Sequence, residues 1–185
     1  MFVDEIFPTP VWGFDLDFNL SDIEYWCYRQ KDDSKGRVIS NVGGWQSDDI
    51  YEFDDTPLTP LIDWINKEAP HWAKDLGIPC DPKVYNLWVN INPKFSYNSV
   101  HVHPEARLSG SFYVRAPKDS GALCFTRDND YALGTIAPNE TRYSSAEWMY
   151  EPKENRAIIF PAWVKHHVKA NLSKKDRISL AFNLR

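Results

Sequence analysis

The strongest constraint on the fold is an alternation of apolar and polar residues that begins at residue 84. In VYNLWVNIN, residues 84–92, every second position from residue 85 is apolar, and the positions between them carry asparagine or tryptophan. RLSGSFYV (107–114) and RISLAFNL (177–184) repeat the pattern. Successive side chains of a strand point to opposite faces of a sheet, so these segments predict strands with one apolar and one polar face. Together with the short apolar runs GALCF and RAIIF, they indicate a β-sandwich or an open barrel.

Helical patterns precede this alternation. SDIEYWCYRQK begins at Ser21 and has Glu24 three residues later, which predicts a helix opened by a capping box. Apolar residues spaced three and four apart over residues 58–76 predict a second helix, ended by Gly77. Pro70 lies inside it, and we expect a kink or a break there.

The length and the absence of repeats predict a single domain over residues 1–185. Residues 1–83 would supply strands and helices that pack on a barrel formed by residues 84–185. Between the two helical patterns, the segment SNVGGWQSDD (40–49) is typical of a glycine-rich loop. The fold class expected is therefore mainly β with buttressing α-helices.

Composition excludes several classes of protein. The net charge of −5 argues against a general nucleic-acid binder, and no apolar run has the roughly 18 residues of a membrane span. Acidic residues occupy the first positions, where a signal peptide would be basic. Three cysteines, odd in number and far apart, indicate reduced thiols. We expect a cytoplasmic protein with small-molecule partners, and a homodimer is compatible with the sequence.

Four of the five histidines fall in two pairs. His101 and His103 point to the same side of a strand, so both rings can reach one metal ion, and Pro104 then ends the ladder. Because His166 and His167 cannot face the same way, we select His166 as a third ligand and expect His167 to face away or to support a ligand. The alternative is that all four are surface histidines at strand ends.

The last predicted strand carries a candidate anion site. Arg177 and Ser179 lie on the same strand face, and an arginine fork suits a carboxylate. Three tryptophans on or near the predicted strands, Trp45, Trp88 and Trp148, are expected to pack in the core rather than to line a substrate cleft.

These motifs resemble those of the iron- and 2-oxoglutarate-dependent oxygenases, in particular a small bacterial and phage branch related to prolyl 4-hydroxylases. HVHPEARLSGSFYV, FPAWVKHHV and RISLAFN carry the resemblance, through the patterns HxHP…LSGxxY and FPxxxxH…RxSxxF. The weaker FPTPVW, GGWQS and WVNIN segments extend it over nearly the whole chain.

The resemblance implies a double-stranded β-helix with Fe(II) held by His101, His103 and His166. It places Arg177 and Ser179 at the distal carboxylate of 2-oxoglutarate. Further cosubstrate-binding positions implied by it are Asn90, Asn92 and Tyr113. The implied reaction uses O2 to hydroxylate a peptidyl residue or a small molecule, and it releases succinate and CO2.

One position departs from the wider superfamily, which usually has HxD or HxE where this chain has HxH. The closer branch also carries HxH, so His103 remains the expected ligand, with Glu105 as the alternative. A neutral imidazole in place of a carboxylate raises the charge of the iron centre by one unit, which should alter its metal preference and potential.

Three other functions are compatible with the histidine pattern. One is a cupin-type metalloenzyme that does not use 2-oxoglutarate, against which the Arg177–Ser179 pair argues. Another is a non-catalytic β-sandwich binding module. The third is a zinc hydrolase with three histidine ligands, for which no general base lies nearby in the sequence.

Overall fold

Two antiparallel β-sheets and two helices make up the computed structural model, which describes residues 2–127 and 141–185. In this part of the chain the larger sheet has the spatial order β1 (Trp12–Asp15), β9 (Arg156–Pro161), β6 (Leu108–Arg115), β11 (Arg177–Leu184), β4 (Val84–Asn92), β3 (Trp45–Gln46). The smaller sheet has the order β2 (Asn41–Val42), β5 (Tyr97–His101), β10 (His166–Val168), β7 (Leu123–Thr126), β8 (Glu147–Tyr150). The strands predicted from the alternation are confirmed.

Helix α1 (Leu20–Asp33) begins earlier than the sequence predicts. Its N-cap is Asn19, whose side-chain oxygen accepts a hydrogen bond from the backbone N–H of Ser21 at 3.2 Å. The predicted capping box at Ser21 is therefore wrong. The extended backbone of Asn19 places its carboxamide where it can satisfy a free N–H of the first turn, and Ser21 already lies inside the helix.

Helix α2 (Thr59–Asp75) continues through Pro70, so the predicted break does not occur. A proline inside a helix costs about 3 kcal/mol, whereas each large apolar side chain that is buried contributes about 1.5–3 kcal/mol. The buried face of α2 consists of Leu61, Ile62, Ile65, Ala69, Trp72 and Ala73. The burial of this face on both sides of Pro70 outweighs the lost hydrogen bond.

The larger sheet packs its apolar face against both helices. Leu87, Val89 and Ile91 of β4 and Leu180 and Phe182 of β11 are fully buried in this core. Because side chains alternate along each strand, the polar face of the same sheet points toward the smaller sheet. The space between the two sheets is therefore lined by polar groups, and this is where the candidate site lies.

The segment 40–49 is not entirely a loop, because it crosses from one sheet to the other. Its first part forms β2, which pairs with β5, and Trp45–Gln46 forms β3, which pairs with β4. Gly43 has φ of 72°, a conformation that permits the sharp change of direction between these short strands.

The three cysteines are free thiols, as predicted. Within the described ranges, no helix has both the length and the hydropathy that a bilayer crossing requires.

Candidate functional site

Three histidines converge between the sheets. His101, at the end of β5, lies directly opposite His166, at the start of β10. His103 follows β5, and its backbone N–H donates to the carbonyl of Ala162 at 2.9 Å. One ring nitrogen from each histidine lies within 4.8 Å of the others, and the Nε2 atoms of His103 and His166 are 3.2 Å apart.

Hydrogen bonds at the far side of two rings fix which nitrogen faces the cluster. The Nδ1 of His101 is 2.7 Å from the carbonyl oxygen of Ser99, and the Nδ1 of His166 is 2.9 Å from that of Val164. Since a carbonyl only accepts, Nδ1 carries the proton in both rings and Nε2 presents a lone pair. Metal-binding histidines are typically oriented in this way.

Burial keeps these imidazoles neutral. It lowers the pKa of His103 to about 4 and that of His166 to about 3, and it also lowers the pKa of His101. The neighbouring histidines lower these pKa values further, because a second positive charge in the cluster is unfavourable. Three converging neutral imidazoles are a donor set that suits Fe(II) and other borderline divalent metals.

A buried cation lies in the same inter-sheet space. Arg177 is only 1% exposed, and its Nη1 donates to the carbonyl oxygens of Ser120 at 2.6 Å and Gly121 at 3.0 Å. Burial lowers its pKa to about 10, which leaves it charged at neutral pH. Among the described residues no carboxylate pairs with this guanidinium. A buried charge with only neutral partners is costly, so the position suits an anionic ligand.

Strand register places the other polar candidates next to Arg177. Ser179 lies directly between Asn90 of β4 and Tyr113 of β6. The Oδ1 of Asn90 is buried and has no partner in the described structure, and burial raises the pKa of Tyr113 to about 12, so its hydroxyl stays protonated. These residues, Arg177 and the three histidines line one inner cavity of about 50 Å³.

Three sequence candidates lie outside this cavity. Asn92 is opposite Arg177 in register, but its side chain packs beneath Gly44, where an added Cβ would lie 2.6 Å from its Nδ2. Glu105 is exposed and pairs with Arg185 at 2.5 Å. His167 faces the opposite side of the smaller sheet, where its Nε2 contacts Glu147 at 2.7 Å.

Sequence reasoning missed a second opening beside the histidines. This outer cleft, of about 460 Å³, lies next to His101 and His103. Its wall includes Trp88, whose ring stacks on that of His103 with centroids 5.5 Å apart. Trp88 is buried, as expected, but it also lines a cleft, which was not expected. Trp45 does pack against the core, whereas Trp148 is half exposed. The cleft is also lined by Arg37, Gln46, Tyr85, Asn86, Asn183 and Arg185.

The alternation of apolar and polar residues along β4 and β11 already indicated part of the lining of the outer cleft. Asn86 and Asn183 belong to the polar faces of their strands and lie directly opposite each other in the register of β4 and β11. The pattern identifies a polar face, but it does not tell which asparagines face the inner cavity and which face the cleft.

Solved structures with the same fold include several enzymes. A prolyl-4-hydroxylase from Pseudomonas putida has a TM-score of 0.71 at 13% identity, over 96% of this chain and 92% of that chain. The viral collagen prolyl hydroxylase of Paramecium Bursaria Chlorella virus-1, solved with 2-oxoglutarate (2OG), has a TM-score of 0.60 at 12% identity, over 95% of each chain. HygX from Streptomyces hygroscopicus, solved with nickel and 2OG, has a TM-score of 0.63 at 9% identity, over 95% of this chain and 82% of that chain. At these identities the likeness establishes the fold, a double-stranded β-helix, and confirms the prediction.

The family follows from the sequence. A search of curated proteins found no match. A family model described as "Putative 2OG-Fe(II) oxygenase" matches residues 86–183, which contain the three histidines, Arg177 and Ser179. Because this match spans more than half of the 185 residues, the chain belongs to the 2OG-Fe(II) oxygenase family.

Proposed function

We propose that His101, His103 and His166 hold Fe(II) and that the enzyme hydroxylates a peptidyl residue or a small molecule. Membership of the family makes the protein a 2OG-dependent oxygenase. The observation that supports the metal assignment is the convergence of the three ring nitrogens, two of them with Nδ1 tied to a carbonyl. In the proposed reaction 2OG, O2 and a substrate C–H group give succinate, CO2 and the C–OH product.

The proposed cosubstrate site is the inner cavity. The histidine cluster and the buried cation of Arg177 both line this cavity, so it offers a partner for each end of the 2OG molecule. The guanidinium would bind the distal carboxylate, with the Ser179 hydroxyl beside it on the same face of β11. Asn90 and Tyr113, the neighbours of Ser179, offer further hydrogen bonds.

The side chains around the cavity orient the reactants and exclude water. Iron, when bound, supplies the redox chemistry with O2, and the protein supplies the position of each reactant. Phe160 packs against the ring of His166 with centroids 4.7 Å apart, and Leu123 also borders the cavity. These apolar groups limit the access of water to the site.

Anaerobic titration of 2OG into the Fe(II)-loaded protein tests this proposal. We expect a saturable visible charge-transfer band that His166→Ala abolishes. His71→Ala is a matched control, because His71 is exposed and contacts Glu68 on the surface of α2. Iron binding without the band, or a band that persists in His166→Ala, would contradict the proposal.

A further inference from the structure

A second cluster of potential metal ligands lies on the outer face of the smaller sheet. The Sγ of Cys124, a carboxylate oxygen of Glu147 and a ring nitrogen of His167 all lie within 4.8 Å of one another. They come from three neighbouring strands, β7, β8 and β10. Because His166 and His167 are consecutive on β10, their rings point to opposite faces of the sheet, and this outer cluster is separate from the histidine cluster.

Strand register brings the groups of the outer cluster together. Cys124 lies directly between His167 of β10 and Met149 of β8, and side chains that are paired in register share one face of a sheet. Glu147 lies two residues before Met149, so it shares that face. Its carboxylate reaches across β7 to the Nε2 of His167, 2.7 Å away. The arrangement therefore follows from the backbone of three strands.

The thiol of the outer cluster is buried beside polar groups. Cys124 has no exposed surface, and its Sγ donates a weak hydrogen bond to the carbonyl of Ala122 at 3.6 Å. Burial and the Glu147 carboxylate raise the pKa of this thiol to about 12, so without a metal the sulfur keeps its proton and is not a nucleophile. A free cysteine commonly packs as a small apolar side chain, whereas this one has an imidazole and a carboxylate as neighbours.

A lysine ammonium already occupies the place of a cation in the outer cluster. The Nζ of Lys169 lies 2.8 Å from the Oε2 of Glu147 and 2.8 Å from the Sδ of Met149. A thioether is a weak hydrogen-bond acceptor, so the ammonium gains little from it. The side chain of Lys169 is 44% exposed, and an exposed ion pair of this kind contributes little, so the ammonium can move into water. A metal ion suits the sulfur and nitrogen atoms of this cluster better than an ammonium does.

We propose that Cys124, Glu147 and His167 bind Zn(II). Thiolate sulfur, imidazole nitrogen and carboxylate oxygen are the ligand types that zinc takes in proteins, and three of them leave one tetrahedral position for water. Zinc–ligand bonds of about 2.0–2.3 Å place tetrahedral ligands about 3–4 Å apart, so small rotations of the side chains complete the site. Binding releases the proton of the Cys124 thiol, and thiolate and carboxylate balance the two charges of the ion. The Lys169 ammonium then moves into solvent.

The zinc ion would connect three strands of the smaller sheet. In the described structure β8 is the last strand of this sheet, and the ion ties it and β7 to β10, which carries His166. Zinc should therefore raise the melting temperature of the protein. The inference is independent of the proposed function, because the outer cluster shares no residue with the histidine cluster.

The test is a titration of Co(II), used as a spectroscopic substitute for zinc, into the metal-free, reduced protein without oxygen. A bond between Co(II) and a thiolate gives an intense near-ultraviolet charge-transfer band, which a site made of three histidines does not produce. We expect this thiolate–cobalt band to saturate at an equimolar amount of Co(II) and to disappear when Zn(II) is added. His166→Ala should retain the band, because it alters the histidine cluster alone.

Variants assign the band to the outer cluster. Cys124→Ala should abolish it, and Cys80→Ser is the matched control that should retain it, because Cys80 is an exposed thiol elsewhere in the chain. His167→Gln should weaken Co(II) binding by about 100-fold, since even residues that only support a metal ligand change affinity by about 10- to 100-fold. Lys169→Gln should strengthen Co(II) binding by about 5-fold, because the competing ammonium is removed. A purely structural ion pair would not produce that gain.

Several results would overturn the inference. They are the absence of the thiolate–cobalt band in the wild type, its persistence in Cys124→Ala, and its loss in Cys80→Ser or in His166→Ala. If Cys124→Ala does not fold, His167→Gln decides, and an unchanged Co(II) affinity in that variant contradicts the proposal. The 2OG charge-transfer band tests the proposed function in a separate titration, so either proposal can fail without the other.

Discussion

Replacement of Arg177 tests the proposed cosubstrate site in the greatest detail. Its guanidinium is buried and bonded only to backbone carbonyls in the described structure, so a bound carboxylate would be its one charged partner. Breaking a buried, hydrogen-bonded charge pair by removing one partner costs about 3–5 kcal/mol. With 1.36 kcal/mol for each factor of ten, Arg177→Gln should raise the Kd for 2OG by roughly 100- to 5,000-fold.

Two further variants separate charge from geometry. Arg177→Lys keeps the charge but loses the planar fork, so we expect a smaller loss of 2OG affinity, about 10- to 100-fold. Arg115→Gln is the control, because Arg115 pairs with Glu24 and Tyr28 on the side of the sheet that carries α1. It should leave 2OG affinity unchanged.

The assay is the anaerobic 2OG titration, with iron binding measured separately. Iron affinity should be retained in all three arginine variants, since Arg177 is not part of the histidine cluster. A folded Arg177→Gln protein that binds 2OG as tightly as the wild type would refute the assignment of this residue.

Other predictions concern stability. The metal-free protein should lose about 1.6 kcal/mol of unfolding free energy for each of His103 and His166 between pH 6.5 and pH 5, because these rings stay neutral in the folded state while the unfolded chain binds protons near pH 6.5. Urea denaturation at the two pH values measures this loss, and an equal stability at both would contradict it. Gly121→Ala should destabilise the protein by about 1–3 kcal/mol and weaken 2OG binding. The reason is backbone strain, since φ is 93° at this residue and the new Cβ would lie 2.1 Å from the carbonyl oxygen of Lys169. Thermal denaturation and the 2OG titration check the two effects, and a wild-type melting temperature would contradict the predicted strain. Phe182→Ala should lower the free energy of unfolding by about 3–5 kcal/mol, because Phe182 is fully buried between the helices and the larger sheet. Denaturant unfolding measures the loss. A loss below 1 kcal/mol would contradict the prediction and show that the core collapses around the gap.

The strands could be predicted because the alternation of apolar and polar residues is a local property of the sequence. Alternation along residues 84–92 and 177–184 determines which side chains face the helices and which face the other sheet. The helix start was mispredicted because Asn19 and Ser21 are both good capping residues, and the backbone conformation decides between them. Continuation through Pro70 depends on tertiary burial, which a local pattern does not contain.

The candidate site, like the fold, could be predicted from the sequence only where its residues follow a local pattern. The spacing of His101, His103 and His166 could be read from the sequence, and the structure brings their rings together. Asn90 and Asn92 share a strand face, yet only Asn90 lines the inner cavity, because the segment around Gly44 covers the end of that face. The carbonyls that hold Arg177 could not be predicted, since backbone atoms carry no residue signature.

The central claim is that three histidines hold the metal and that Arg177 binds the cosubstrate. A crystal structure of the protein grown without oxygen, in the presence of Fe(II) and 2OG, tests both parts at once. We expect the metal on ring nitrogens of His101, His103 and His166, and one 2OG carboxylate on the Arg177 guanidinium. Iron bound by Glu105 or His167 in place of one of these histidines, or a 2OG molecule that does not contact Arg177, would contradict the account.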